Sequence, residues 1–312
     1  MVAARLMPPP RVIGVDLGGT KILAGVVDRD GTIIRSVERP TPLASEAELL
    51  ATLDEVVDSL WNEERVAAVG FGIPSTLDRG RVVGSVNVPL DDVDLSGRTS
   101  GRLDVPVAVD NDANAATIAE WQLGAGRGAQ DLIMLTLGTG CGGGLVLGGR
   151  PYRGSVGAAA ELGHMVLEHG GRPCQGSCPG RGHLEAYVSG LAAGAAASER
   201  FGVETDARGL IDMADAGDER AREVLAEIGS YLGSALETVV NVFNPEVIVI
   251  GGGFGLAAGE HVLGPARELM RREGLSPGRE LVRVVPAELG AEAGLVGAGL
   301  VAFEALEAPP AV

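Results

Sequence analysis

The sequence predicts an α/β protein built of two domains. The chain has 312 residues, of which 46% are hydrophobic, enough for one large or two medium domains. Short apolar runs that end in glycine turns alternate with stretches of helical periodicity, the pattern of strands joined to helices. Aromatic residues make up 3% of the chain against 48 glycines. We therefore expect small side chains in the interior and backbones in close contact.

The first half of the chain begins as an antiparallel meander. Its predicted strands cover residues 12–16, 22–27 and 32–38. Ser45 and Glu48 then form the capping-box pattern of a helix start. Further elements are expected as strands at 67–72, 80–86 and 105–109 and a helix at about 113–123. A small α/β domain is predicted over residues 1–122.

The second half opens with another strand–glycine–strand pattern, with the glycine stretch 138–144 between its strands. The two patterns suggest distant structural repeats. The remaining elements are predicted as strands at 132–137, 145–147, 247–250 and 281–285 and helices at 218–244, 260–272 and 291–307. A larger α/β domain is predicted over residues 123–290, with the last helix packing back on the first domain.

Charge and composition disfavour several classes of function. A net charge of −17 disfavours nonspecific binding to nucleic acid or anionic lipid, whereas backbone N–H groups can still bind a small anion. No apolar run approaches the roughly 20 residues that span a bilayer, and the start has no apolar signal core, so we expect a cytoplasmic protein. Three cysteines do not describe a disulfide framework.

Three glycine turns follow apolar strands and are predicted to bind phosphate. The first, Asp16-Leu17-Gly18-Gly19-Thr20-Lys21, joins two strands, so its backbone N–H groups and the Thr20 hydroxyl can point at an anion. It lacks the spacing and the following helix of a P-loop. Gly138-Thr139-Gly140 forms the second turn and Gly251-Gly252-Gly253 the third. A plain hairpin turn is the alternative for the first motif taken alone.

Acidic residues stand where a predicted strand meets a helix, in Asp110-Asn111-Asp112-Ala113-Asn114. Ligands of α/β proteins bind at the carboxyl ends of the strands, so one of these aspartates can act as a general base. The alternative is that Asp112 only caps the helix.

Four candidate metal ligands lie in the second half. Cys174 and Cys178 have three residues between them, a Cys-x3-Cys pattern, and His164 and His183 flank them. Thiolates and imidazoles in this number suit tetrahedral Zn²⁺. Free thiols beside surface histidines are the alternative.

Together these motifs resemble the ROK family of bacterial sugar kinases and repressors, from Val12 to about Phe303. The resemblance implies an actin-like ATPase fold, hexokinase-type and ribonuclease H-like, with two domains and a ligand cleft between them. The matching segments are the two phosphate loops at 16–21 and 138–140, the catalytic stretch at 110–114, and the sugar- and zinc-binding signature at 161–164 and 182–185.

The resemblance also implies roles for individual residues, with Asp112 as the general base and ATP with Mg²⁺ as the cofactor. Sugar contacts are expected from Asn87, Asn111, Asp112, Glu161, His164 and Glu185. Nucleotide contacts are expected from Asp16, Gly18, Gly19, Thr20, Lys21, Gly138, Thr139 and Gly140, joined by Gly252 and Gly253 of the third turn. Structural Zn²⁺ is expected on His164, Cys174, Cys178 and His183, in an insertion over 164–183.

The sequence departs from the family in three places. The usual Cys-x-Cys is widened to Cys174-Gln175-Gly176-Ser177-Cys178, and His183 replaces a third cysteine, which changes the predicted metal site to Cys2His2. Ser75 stands at a position that is usually glycine. Asn87-Val88-Pro89-Leu90 lacks the common Gly-Trp after the proline. These departures affect the sugar-side loop more than the catalytic aspartate.

The function that the resemblance implies is ATP-dependent phosphorylation of a hexose, with glucose as the leading candidate. N-acetylmannosamine, N-acetylglucosamine, allose or fructose as acceptor, and polyphosphate as donor, are alternatives. A sugar-binding protein without catalysis and a ROK-type repressor are less favoured, the latter because eleven residues before Val12 are too few for its DNA-binding segment. A homodimer or homotetramer is expected, with no nucleic-acid or membrane partner.

Overall fold

The computed structural model describes residues 9–61, 66–85 and 87–307. The strands are β1 Arg11–Leu17, β2 Lys21–Val27, β3 Ile33–Pro40, β4 Val66–Ile73, β5 Ser75–Asp78, β6 Arg81–Ser85, β7 Val107–Asn111, β8 Leu132–Leu137, β9 Cys141–Val146, β10 Val247–Gly251 and β11 Arg283–Pro286. The helices are α1 Glu46–Trp61, α2 Leu95–Leu103, α3 Asp112–Leu123, α4 Glu185–Val188, α5 Gly190–Phe201, α6 Ala207–Asp215, α7 Glu219–Phe243, α8 Gly253–Ala258, α9 Glu260–Glu273, α10 Gly278–Leu281 and α11 Ala293–Glu307. Within the described ranges, no helix combines the length and the apolar character needed to cross a bilayer.

The chain forms two compact units. The first contains the residues up to Ala119 together with those from Glu292 onward, and the second runs without interruption from Glu120 to Ala291. The division therefore falls within α3, and α11 belongs to the first unit although it follows the second in the chain.

The first unit is built on a five-stranded sheet with the order β3-β2-β1-β4-β7. Its first three strands pair antiparallel, which confirms the predicted meander, and β4 and β7 add to β1 in parallel. Helix α1 buries one apolar face, and its start at Ser45 is confirmed by the bond from the Glu48 N–H to Ser45 Oγ at 3.3 Å. A small hairpin of β5 and β6 lies outside the main sheet.

Helix α11 packs on β1, β4 and β7 with backbone against backbone. A Cβ atom added to Gly70 would overlap the carbonyl oxygen of Ala298, and one added to Gly14 would overlap that of Leu295. Gly297 of α11 stands in the same relation to the carbonyl of Ala115 on α3. Glycine is required at these positions because any side chain would push the helix away from the sheet.

The second unit contains a four-stranded sheet with the order β11-β10-β8-β9. Strands β8, β10 and β11 run parallel, and β9 pairs antiparallel with β8. The predicted long helix is confirmed as α7, which buries Leu225, Ile228, Leu232 and Leu236 along one face. It ends at Phe243 and is capped by Asn244, whose backbone is left-handed and whose N–H donates to the carbonyl of Val240, and Pro245 prevents continuation.

Several predicted boundaries were wrong. The strand expected at 145–147 begins at Cys141, so glycines 142–144 belong to β9, because Leu162 packs where a side chain on Gly143 would stand. Leu281, expected in a strand, ends α10, and β11 starts at Arg283. The third glycine turn, predicted over residues 251–253, is the single residue Gly252, since Gly251 ends β10 and Gly253 begins α8. Residue 86 of the predicted strand 80–86 lies outside the described residues. The sequence did not predict β5, α2, α4, α5, α6, α8 and α10.

A fully buried carboxylate joins distant segments of the second unit. Glu120 has no exposed surface, and its oxygens accept the N–H groups of Ala125 at 2.9 Å, Glu288 at 3.1 Å and Leu289 at 2.7 Å. A buried carboxylate with three N–H donors is well satisfied, so Glu120 fixes the chain after α3 to the segment that follows β11.

Replacing Gly70 with alanine is expected to lower the free energy of unfolding by about 3 kcal/mol, because the new methyl group would force α11 away from β4. Gly101 is a matched control. It is exposed in α2 with no atom within 4 Å of an added Cβ, so alanine there should raise stability by about 0.5 to 1 kcal/mol. Urea unfolding followed by circular dichroism measures both changes, and equal midpoints for the two variants would contradict the packing described above.

Candidate functional site

The acidic residues of the first unit meet at the carboxyl ends of its parallel strands. The strand registers place Asp16 beside Gly72 of β4, and Gly72 beside Asp110 of β7. Helix α3 packs directly on this row, because a Cβ on Gly72 would lie 3.2 Å from Ala115 Cβ and 3.6 Å from Asp112 Cα. The structure thus brings Asp16 and the 110–112 stretch to one edge of the sheet, where α/β proteins bind ligands.

The three residues of the 110–112 stretch make different hydrogen bonds at the start of α3. Asp110 is 2% exposed, and its Oδ1 accepts the Asn111 N–H at 2.8 Å and the Asn114 side-chain amide at 3.0 Å. Asn111 Oδ1 accepts the N–H groups of Ala113 at 2.9 Å and Asn114 at 3.2 Å. Asn111 therefore caps α3, the role that the sequence offered as the alternative for Asp112. Asp112 is the first residue of the helix, and its Oδ1 accepts the N–H of its neighbour Ala113 at 2.8 Å.

The surroundings of Asp16 disfavour its ionised carboxylate. The pKa of its carboxyl is raised to about 7, mainly by burial and further by the charge of Asp112, while Lys21 opposes the shift. The first turn of α11 lies against it, since a side chain on Gly294 would overlap the Asp16 carboxylate. Two neighbouring carboxylates that resist joint ionisation form the kind of oxygen donor set that a divalent cation stabilises.

The first glycine loop is a tight turn between β1 and β2. The Gly18 N–H bonds the Lys21 carbonyl at 2.9 Å. Thr41 holds the loop from outside, because its hydroxyl donates to the Gly18 carbonyl at 2.7 Å and its N–H to the Thr20 carbonyl at 3.0 Å. The carbonyls of Gly18 and Thr20 thus both accept hydrogen bonds from Thr41, which holds the loop in place.

Lys21 and Asn87 stand at the margins of this loop. Lys21 Nζ donates to Glu38 Oε2 at 2.7 Å, and both side chains are about half exposed, which makes the pair a cross-strand surface ion pair. Asn87 is exposed, and a Cβ on Gly19 would lie 3.6 Å from its Cβ and its carbonyl oxygen. The structure therefore brings Asn87 to the first glycine loop and ties Lys21 to Glu38.

The second and third glycine turns are neighbours in the second unit. Gly138 closes its turn with an N–H bond to the Gly140 carbonyl at 2.9 Å. Strands β8 and β10 are adjacent and parallel, so their carboxyl ends bring Gly138 and Gly252 together. Gly252 has a positive φ of 81° and packs so closely that a Cβ would overlap the backbone of Leu137. No atom lies within 4 Å of a Cβ added to Gly253, which leaves space beside the pair of turns.

Glu185 and the start of α5 hold the second loop. Glu185 Oε2 accepts the Cys141 N–H at 2.8 Å, and a side chain on Gly140 would overlap this same oxygen. The N–H groups of Gly190 and Leu191 donate to the carbonyls of Gly138 at 2.8 Å and Thr139 at 3.3 Å. Each residue of the loop is therefore in contact with the 185–191 segment.

The four predicted metal ligands come together. Their nearest donor atoms all lie within 4.8 Å of one another. His164 Nδ1 is 3.1 Å from His183 Nδ1, 3.7 Å from Cys174 Sγ and 3.8 Å from Cys178 Sγ, and Cys178 Sγ is 3.6 Å from His183 Nδ1. A tetrahedral zinc site with two sulfur and two nitrogen ligands has edges of roughly 3.3 to 3.8 Å. The donor set and spacing fit such an ion.

The other face of His164 is turned to Glu161. His164 Nε2 is 4.0 Å from Glu161 Oε2, while Nδ1 belongs to the metal-ligand cluster. Burial raises the pKa of Glu161, His164 lowers it, and Glu185 raises it further. The short 3-10 turn Leu162–His164 packs tightly on the start of β9, since a Cβ added to Gly163 would overlap the Cys141 carbonyl oxygen.

Sequence reasoning missed several residues that hold the site. Thr41 belongs to no recognisable motif, and its bonds to the first loop depend on the pairing of β2 with β3. Gln175 lies in the widened cysteine segment and matches no motif, yet its side-chain amide donates to Ser189 Oγ at 2.6 Å. Ser189 followed by Gly190 is a helix-start signal that the sequence does carry.

The comparisons with known proteins agree on one family. The family model described as "ROK family" matches residues 12–305. The chain is 34% identical to a glucokinase of Streptomyces coelicolor, covering 94% of this chain and 97% of that protein. It is 35% identical to a glucokinase of Thermotoga maritima, covering 96% of this chain and 99% of that protein.

Solved structures give the same result. A ROK family glucokinase from Streptomyces griseus, in complex with glucose and AMPPNP, is 33% identical with a TM-score of 0.84 over 94% of this chain and 99% of that one. A ROK hexokinase from Thermus thermophilus is 38% identical with a TM-score of 0.84 over 95% and 99%. These matches confirm the predicted two-domain, actin-like sugar kinase fold. The chain belongs to the ROK family.

Proposed function

We propose that this protein is an ATP-dependent sugar kinase that phosphorylates glucose to glucose 6-phosphate. The observation that carries the proposal is that Asn111 caps α3, so Asp112 stands at the first turn beside Asp16 without serving as the cap. Relatives at about a third identity support it, since glucokinases match over nearly the whole chain. The Streptomyces griseus structure, with glucose and AMPPNP bound, supports the pairing of a sugar with a nucleotide.

In this mechanism Asp112 is the general base. It accepts the proton of the attacking hydroxyl, expected to be the 6-hydroxyl of the hexose, as that oxygen bonds to the γ-phosphorus of ATP. Asn111 and Asp110 keep the start of α3 rigid, so the base is held in a fixed position.

Asp16 is proposed to orient the Mg²⁺ that accompanies ATP, directly or through water. The fit rests on the raised pKa of Asp16 next to Asp112, because a cation relieves the repulsion of two close carboxylates. When bound, the ion neutralises charge on the phosphate oxygens. The two glycine loops, with Thr20, Thr139, Gly252 and Gly253, hold the phosphates through backbone N–H groups and hydroxyls. Lys21 contributes at most a distant charge, because it is paired with Glu38.

The sugar hydroxyls are proposed to bond to Asn87, Asn111, Asp112, Glu161, His164 and Glu185. Within the second unit, Glu161 and His164 Nε2 already lie close together, as a shared polyol contact requires. Two relatives set out the alternatives: an N-acetylmannosamine kinase of Escherichia coli at 32% identity, and a polyphosphate/ATP-glucomannokinase of Arthrobacter at 28% with a TM-score of 0.67. The protein is further proposed to act as a homodimer or homotetramer.

The Cys2His2 cluster is proposed to hold a structural Zn²⁺ on His164, Cys174, Cys178 and His183. The spacing of the four donor atoms supports this identity. The ion would fix the ring of His164 and thereby the nitrogen that faces Glu161. Its part is structural and no step of the transfer depends on it.

A coupled assay over a panel of sugars, with ATP and polyphosphate as alternative donors, tests the proposed reaction. We expect glucose with ATP to give the highest kcat/KM, because the chain matches glucokinases over nearly its full length. Turnover with none of the sugars would overturn the assignment as a kinase. A clear preference for N-acetylmannosamine or polyphosphate would replace glucose or ATP in it.

Replacing Asp112 with asparagine is expected to lower kcat at least about 100-fold, since a general base contributes 10² to 10⁴ in rate, and to leave sugar affinity within several-fold. Asp94→Asn is the control, because Asp94 caps α2 through Gly97 and asparagine caps equally well. Steady-state kinetics and glucose titration by calorimetry measure the two effects. Near-normal turnover of Asp112→Asn would remove this residue from the role of base.

Metal analysis of the purified protein should find about one zinc per chain. Cys178→Ser is expected to reduce the zinc content strongly, because thiolate is the better ligand. Cys141→Ala should leave it unchanged, since Cys141 is outside the cluster. A preparation that is free of zinc and fully active would refute the structural site.

A further inference from the structure

The widened cysteine segment sends a side chain towards the start of α5. Gln175 follows Cys174 directly, and its Nε2 donates to Ser189 Oγ at 2.6 Å and to the Glu185 carbonyl at 3.4 Å. Ser189 is fully buried and caps α5, because its Oγ accepts the Ala192 N–H at 3.1 Å. The Gln175 amide therefore connects the metal-ligand cluster to the N-terminus of α5.

The N-terminus of α5 in turn holds the second glycine loop. The Gly190 N–H donates to the Gly138 carbonyl at 2.8 Å, and the Leu191 N–H to the Thr139 carbonyl at 3.3 Å. The two backbones are in direct contact, since a Cβ on Gly190 would lie 2.9 Å from the Gly138 oxygen. A displacement of Ser189 or Gly190 would be passed to the loop, because no side chain intervenes.

A second connection runs through Glu185. One carboxylate oxygen accepts the Cys141 N–H at 2.8 Å, and the other lies 3.7 Å from Cys174 Sγ. Gly140 packs against the first oxygen without room for a side chain. Gln175 is thus linked to the loop at two points, once through its bond to the Glu185 carbonyl and once through Ser189.

We propose that Gln175 and Glu185 are positioning residues that couple the Cys2His2 cluster to the glycine loop at 138–141. A metal ion that fixes Cys174 also fixes Gln175, and through Ser189 and Glu185 it orders the loop. Metal occupancy then strengthens nucleotide binding in addition to shaping the sugar side. This coupling rests on the proposed function for the roles of the metal and the nucleotide, while the ordering of the loop can be measured without either substrate.

Hydrogen exchange by mass spectrometry on the full-length, metal-loaded protein tests the ordering of the loop. Gln175→Ala is expected to speed exchange in peptides that contain residues 138–141 and 189–192 although its metal content stays at the wild-type level. Ser177→Ala is the matched control, because Ser177 is an exposed residue of the same segment. Peptides of α7 report whether each variant is folded. Unchanged exchange at 138–141 in metal-loaded, folded Gln175→Ala would overturn the proposal.

Calorimetric titration with AMPPNP tests the consequence for the nucleotide. Removing the metal should weaken binding about tenfold in the wild type and in Ser177→Ala, within the range of measured coupling between sites, and clearly less in Gln175→Ala. An equal loss in all three proteins would overturn the coupling through Gln175. A wild type that orders its loop as expected but neither binds AMPPNP nor phosphorylates glucose would contradict the kinase assignment and the nucleotide half of this proposal, and would leave the link between cluster and loop standing.

Discussion

The contact of α11 with the first sheet sets the positions of the acidic residues in the first unit. Gly14 and Gly70 let the helix lie on the strands, and Gly297 lets it touch α3 at Ala115. Gly294 then stands against Asp16, while α3 begins at Asp112. The burial that raises the pKa of Asp16 and its repulsion by Asp112 both follow from this packing. Small residues in the interior of the unit thus set the surroundings of the carboxylates at its polar edge.

In the second unit, two glutamate carboxylates hold backbone segments in place by accepting their N–H groups. Glu120 collects N–H groups from segments far apart in the chain, and Glu185 accepts one from the end of the second glycine loop. A carboxylate is a strong acceptor for several donors at once, so it can hold irregular backbone that offers no apolar surface. The acidic composition of the protein is therefore partly used inside the molecule, and not only on its surface.

The elements with strong periodicity could be predicted from the sequence, and those that depend on distant contacts could not. Helix α7 and the antiparallel meander carry clear patterns, and the structure confirms them. Glycines 142–144 were predicted as a loop because glycine is disfavoured in strands. Their place in β9 is explained by the packing of Leu162 against Gly143, a contact distant in sequence. At the site, residues that end parallel strands were predictable, because those ends share one edge of a sheet. The cap at Asn111, the bonds of Thr41 and Gln175, and the pKa of Asp16 require partners that no local pattern reveals.

The order of the units along the chain has a consequence for biosynthesis. The second unit is continuous, so all of its residues are synthesised before those of α11. The first unit starts earlier and finishes later, because α11 packs on Gly14 and Gly70 of its sheet. During translation, this part of the sheet therefore stays uncovered until the residues of the second unit have been synthesised. A nascent chain that stops before α11 is therefore expected to have an incomplete first unit, however much of the second it contains.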